Sequence, residues 1–165
     1  MRRWLTRLWA VAAAGTAVLT ILVVPGAASG QADLNSVRNF TAKYHDLDKA
    51  QHDGYHALLA CFDLSGVGGM GQHYVNLSLL DGSVDPMQPE ALVYEVDSNK
   101  LKLVAVEYII PIDAWTSSQA PTLYGKQFTR LDSLGLWALH AWIWKPNPDG
   151  IFANYNPSVP MCPGH

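Results

Sequence analysis

Ala91-Leu92-Val93-Tyr94-Glu95-Val96, Asp97-Ser98-Asn99-Lys100 and Lys102-Leu103-Val104-Ala105-Val106-Glu107-Tyr108-Ile109-Ile110 decide the fold class. The two outer runs are rich in valine, isoleucine and tyrosine, and the four residues between them are turn formers. Together they predict an antiparallel hairpin. With Ser98-Asn99 as a two-residue loop, Glu95 falls opposite Lys102, an ordinary cross-strand ion pair. Two more runs, His73 to Leu79 and Ala138 to Trp144, have the same composition and predict further strands.

On the N-terminal side the period changes. Val37, Phe40, Tyr44, Leu47 and Ala50 or Gln51 recur at three- and four-residue steps, which predicts one long helix from Asn35 to about Asp53. Asp33, Asn35 or Ser36 can cap it, and Gly54 ends it. Asp81 to Glu90 and Pro111 to Asp132 read as loops, the second long enough to cover a site. Ser65-Gly66-Val67-Gly68-Gly69-Met70-Gly71 has four glycines in seven residues and also reads as a loop. It lacks the Lys-Ser/Thr ending of a phosphate loop, so nucleotide binding is discounted. The expected class is α+β: an antiparallel sheet of about four or more strands with a long N-terminal helix packed on it, and one disulfide.

The ends of the chain carry the remaining signals. Met1-Arg2-Arg3-Trp4-Leu5-Thr6-Arg7 precedes an apolar run from Leu8 to Val24, and small residues follow from Gly26 to Ala32. Those are the three parts of a secretory signal, assigned to residues 1–32 with the cleavage point open. The run of 17 residues falls just short of the roughly 18 to 20 a membrane-spanning helix needs. Residues 33–165 then form a single globular domain, secreted or held in the cell envelope, without stable membrane association after cleavage. Removing Arg2, Arg3 and Arg7 leaves 8 basic residues against 14 acidic ones, so the charge moves from −3 to −6. That balance argues against nucleic acid as a partner. Cys61 and Cys162, an even pair in an exported chain, predict a disulfide that ties the proline-rich tail back to the end of the helix.

Side chains with chemistry to offer lie mainly on the predicted strands. Alternation groups Leu103, Ala105, Glu107 and Ile109 on one face, so Glu107 stands among apolar neighbours. A buried carboxylate must be paired, protonated or bound to a cation. The last strand places His140, Trp142 and Trp144 on one face, and His73 opens the first strand beside the glycines. Two histidines and a glutamate on one sheet suit a transition metal with open positions, and His45 on the helix is an outlying fourth candidate. Copper, zinc, iron and manganese are not distinguished. The plainer alternative is a satisfied core histidine at His140 and a hydrogen bonder at His73. His52 and His56 read as surface histidines.

Tyr74, Trp142 and Trp144 offer a pocket for a small apolar or aromatic molecule, which would make the chain a metal-free binding module. No nucleophile elbow, Ser-His-Asp order or HExxH occurs, so no hydrolase template applies and the sequence names no reaction. The expected partners are therefore a metal ion or a small molecule.

Several segments carry a resemblance. They are Ala42-Lys43-Tyr44-His45-Asp46, Gly68-Gly69-Met70-Gly71-Gln72-His73-Tyr74-Val75-Asn76, Pro89-Glu90-Ala91-Leu92-Val93-Tyr94-Glu95 and Val106-Glu107-Tyr108. The longest is Leu139-His140-Ala141-Trp142-Ile143-Trp144-Lys145-Pro146-Asn147-Pro148-Asp149-Gly150-Ile151-Phe152. In these the chain resembles a family of small exported bacterial proteins whose chemistry is uncharacterised. The resemblance implies that His45, His73, Glu107 and His140 belong to the family pattern and that His52 and His56 do not. Members often carry a further histidine four residues before the one matching His140, where this chain has Leu136.

Overall fold

The computed structural model describes residues 26–164 apart from 59 and 99, with side chains from Leu34 onward. Residues 1–25 of the expected signal lie outside the described residues. The architecture is α+β. Helix α1 (Gly26–Thr41), a 3-10 turn (Ala42–His45) and helix α2 (Leu47–His52) precede nine strands. These are β1 (His56–Ala57), β2 (Phe62–Leu64), β3 (Gly68–Val75), β4 (Ala91–Asp97), β5 (Lys100–Pro111), β6 (Thr122–Leu123), β7 (Lys126–Gln127), β8 (Thr129–Leu131) and β9 (Leu136–Ala141). The main sheet has the order β1-β3-β4-β5-β9-β8, with β2 also pairing β3, and all its pairs are antiparallel.

The single long helix expected over 35–53 is broken. Thr41 turns its hydroxyl back onto the Val37 carbonyl at 2.8 Å, and Asp46 leaves helical geometry to accept the Asp48 amide at 3.1 Å. Asp46 therefore caps a second helix instead of continuing the first. Gly54 does end α2, with φ +95°.

The hairpin β4–β5 forms with Glu95 opposite Lys102, as the two-residue loop requires. Its register passes from Val93↔Ala105 to Tyr94↔Leu103, which leaves Val104 as the extra residue of a β-bulge. The bulge turns Leu103 to the other face, so only Ala105, Glu107 and Ile109 of the expected row stay together. The Val104 carbonyl accepts the amides of both Trp144 and Lys145 at 3.1 Å. Those bonds draw the chain out of the ladder, and β9 stops at Ala141 instead of reaching Trp144.

The glycine-rich stretch is mostly strand, not loop. A Cβ on Gly69 would lie 2.5 Å from the Pro160 carbonyl oxygen, and Gly69 bridges to Asn156 in the C-terminal tail. Glycine here lets the tail lie directly on β3. The Cys61–Cys162 disulfide fastens that tail, although Cys61 sits just before β2 and not at the helix end.

Both faces of the sheet are covered. Leu92, Val106, Tyr108, Ile110 and Leu139 pack under α1 and α2, against Val37, Tyr44, Ala50 and Tyr55. The other face carries Val75, Ala91 and Ile109, then Val93, Ala105 and Trp142 under Val159 of the tail. The segment 111–132 is not wholly loop: it contains the β6–β7 hairpin, and β8 extends the sheet.

Candidate metal centre

Glu107 and His140 are direct cross-strand partners in the register of β5 and β9. Their side chains share one face with His73, which lies two strands away on β3 and one pleat off that row. Adjacent strands are about 4.8 Å apart, so an imidazole on β3 reaches a carboxylate on β5 only if the residue between them is small. Ala91, paired with both Val75 and Glu107, meets that need.

The three side chains converge. His73 Nε2 lies 3.3 Å from His140 Nε2; His73 Nε2 is 3.4 Å from Glu107 Oε2 and His140 Nε2 is 3.4 Å from Glu107 Oε1. Relative exposures are 7%, 2% and 5% for His73, His140 and Glu107, so all three are buried. Neither histidine Nδ1 has a hydrogen-bond partner. Burial pushes the His73 imidazole down to about 4, against a weaker pull from the Gly71 backbone. Burial, with nearby His73, also holds His140 well below the usual imidazole range. The Glu107 carboxyl is pushed up to about 8 by burial and, secondarily, by Glu90. Burial thus favours the uncharged form of all three groups when no cation is bound.

Geometry gives this cluster its chemical meaning. Donor atoms bound at 2.0 to 2.1 Å around a tetrahedral ion lie about 3.3 to 3.4 Å from one another. The two nitrogens already stand at that spacing, the Glu107 carboxylate presents one oxygen to each of them at 3.4 Å, and one ligand atom from each residue lies within 4.8 Å of the others. The group is also the one metal-competent cluster among the described residues. Coordination through both Nε2 atoms would fix both rings as Nδ1–H tautomers.

The three side chains line a cavity of about 230 Å³. His73, Glu107 and His140 form its polar floor. Its walls are mainly aliphatic, including Leu58, Val75, Ile109, Leu131, Leu134 and Leu136. Leu58 and Leu134 are 40% and 48% exposed and mark its mouth.

Other expected site residues lie elsewhere. His45 is exposed and packs edge-on against Trp144 at 4.4 Å, outside the cluster. Tyr74 points to the helix side, 5.1 Å from Tyr94, because it follows His73 in the pleat. Trp144 donates its indole N–H to Thr41 under α1. Of the expected aromatic pocket only Trp142 is beside the site, stacked on His140 at 5.8 Å without lining the cavity. The aliphatic wall was missed. The run Leu131-Asp132-Ser133-Leu134-Gly135-Leu136 could have revealed it, since Gly135 at φ +67° closes the hairpin that brings Leu131 opposite Leu136. Leu136 shares the face of His140 but lies roughly 13 Å along the strand, so the three-residue group is complete without a ligand there.

No protein-family model matches the chain, and no curated protein or solved structure matches it. No helix among the described residues is long and apolar enough to cross a membrane.

Proposed function

We propose that this chain is an exported metalloprotein, one of the family of small exported bacterial proteins it resembles. It binds one transition-metal ion through His73, Glu107 and His140 and keeps a fourth coordination position open to the cavity. The carrying observation is the convergence of three buried metal-competent side chains, with the two Nε2 atoms 3.3 Å apart, a Glu107 oxygen 3.4 Å from each, and one ligand atom from each residue within 4.8 Å of the others. Two imidazoles and one carboxylate with an open position is a ligand set used by catalytic zinc. Such an ion supplies Lewis acidity or an activated water. Export is supported by the basic and apolar opening of the sequence and by the pairing of its two cysteines.

The test is elemental analysis of the processed chain, purified from an oxidising compartment without a histidine tag. Close to one ion per chain is expected, removed by a chelator and absent from His140→Ala. Metal should also raise the melting temperature, because it binds only the folded state. If zinc, copper, iron and manganese all fail to bind or to shift melting, the metal reading is wrong. The aliphatic cavity favours a second reading, a metal-free module that holds a small apolar molecule with Glu107 as a hydrogen-bond donor. A ligand that stabilises the metal-free protein and leaves metal without effect would select it.

A further inference from the structure

Resting on the metal reading, the cavity above the open coordination position specifies a ligand. A divalent ion held by one carboxylate and two neutral imidazoles leaves a net charge of +1. Glu107 is the only charged residue type on the cavity lining, and no Asp, Lys or Arg joins it there. The excess charge therefore sits in an apolar enclosure, where an unpaired charge is costly. A monoanionic donor at the fourth corner would neutralise it.

The walls select what is attached to that donor. Leu58, Leu80, Leu131, Leu134 and Leu136 bring branched aliphatic surface to the cavity from three separate segments of chain. Asn154 and Tyr155 also line the cavity, and no arginine or lysine among the described lining residues is there to hold a second anionic group. At ordinary packing density a volume of 230 Å³ takes roughly nine or ten non-hydrogen atoms. A sugar or a dianion would leave its polar groups against leucine.

We infer that the site binds a medium-chain aliphatic monocarboxylate, its carboxylate on the metal and its chain along the leucine wall. Hexanoate to octanoate matches the volume. Cobalt(II) is the probe, because its visible absorption reports both its coordination and any change in its ligands. The cobalt-loaded, disulfide-bonded chain would be titrated with acetate, hexanoate, octanoate and octylamine. Octanoate should change the cobalt spectrum with at least tenfold higher affinity than acetate, and octylamine should leave it unchanged. Leu134→Glu, at a half-exposed rim position, should erase the preference for octanoate over acetate. Its melting temperature and cobalt spectrum before titration show whether it is folded.

Failure of the two proposals looks different. Cobalt that binds with a four-coordinate spectrum, but responds equally to acetate and octanoate or to neither, overturns the ligand inference and leaves the metal reading standing. No cobalt spectrum, with zinc, copper, iron and manganese also failing to bind, overturns both. No cobalt spectrum while zinc binds and is indifferent to octanoate in melting overturns the ligand inference alone.

Discussion

On the helix-covered face of the sheet, Tyr55, Tyr94 and Tyr108 bury their rings, and each hydroxyl reaches a backbone acceptor. Tyr55 donates to Pro89, Tyr94 to Tyr44 and Tyr108 to Pro86, at 2.7 to 2.9 Å. On the opposite face His73, Glu107 and His140 are buried about as deeply, yet their Nε2 atoms and carboxylate oxygens face one another, and neither Nδ1 makes a well-formed hydrogen bond. One sheet thus satisfies these tyrosines on one side and leaves this one cluster waiting on the other. A buried polar group with a partner holds a fold together, whereas a buried group without one weakens it unless something else binds. The helix face is built for stability and the cavity face for occupancy.

The largest effect that would break this contrast comes from equivalent cuts on the two sides. Leu92→Ala removes a fully buried side chain on the helix face and should cost about 2 to 5 kcal/mol. Glu107→Met replaces the buried carboxyl with an apolar chain of similar length. It should leave the empty protein as stable as the parent or more stable, by up to about 2 kcal/mol, and abolish stabilisation by metal. Denaturant unfolding of both variants decides it. A Glu107→Met protein as damaged as Leu92→Ala would make Glu107 a structural residue.

The next effect is in pH. Glu107 is raised in the folded state, so its contribution is fully present below the ordinary carboxyl range and is lost as pH rises through about 8. His73 is depressed, so its contribution is intact above about pH 6.5 and is lost as pH falls towards about 4. Between pH 6.5 and 8 the histidine contribution is therefore constant, and the empty protein loses stability through Glu107. With metal bound, Glu107 is ionised at all these values and that slope vanishes. Stabilisation by zinc should thus grow with pH by at most about 1.4 kcal/mol per unit across this window. Melting curves with and without zinc measure it, and an increment independent of pH would mean that Glu107 does not ligate.

Glu107 was legible in the sequence because alternation put an acid in a strand with apolar residues on both faces. The hairpin loop likewise put Glu95 opposite Lys102. His73 and His140 could be named as strand residues, but their meeting depends on the order β3-β4-β5-β9 and on Ala91 standing between them. Such long-range pairing leaves no local spacing to read. Bulges and helix breaks were also hidden. Val104 changes which face Leu103 occupies, and Trp144 leaves the strand because its amide bonds Val104. The break before α2 depended on Asp46 choosing a cap over a helical turn, a competition that three- and four-residue periodicity does not register.

The smallest effect tests the helix face by its hydrogen bonds alone. Tyr94 is 1% exposed, and its hydroxyl is donated to the Tyr44 carbonyl, at the 3-10 turn that separates the two helices. Tyr94→Phe keeps the ring and its edge-on packing with Tyr74, so only the bond is lost and the Tyr44 carbonyl is left under-satisfied. The expected cost is about 1 kcal/mol in denaturant unfolding. Because the ring stays in place and the helix face has no role in occupancy, zinc should raise the melting temperature of Tyr94→Phe by as much as it raises the parent's. A smaller zinc increment in this variant would show that the two faces are coupled through β4, and that the satisfied side helps to position the waiting one.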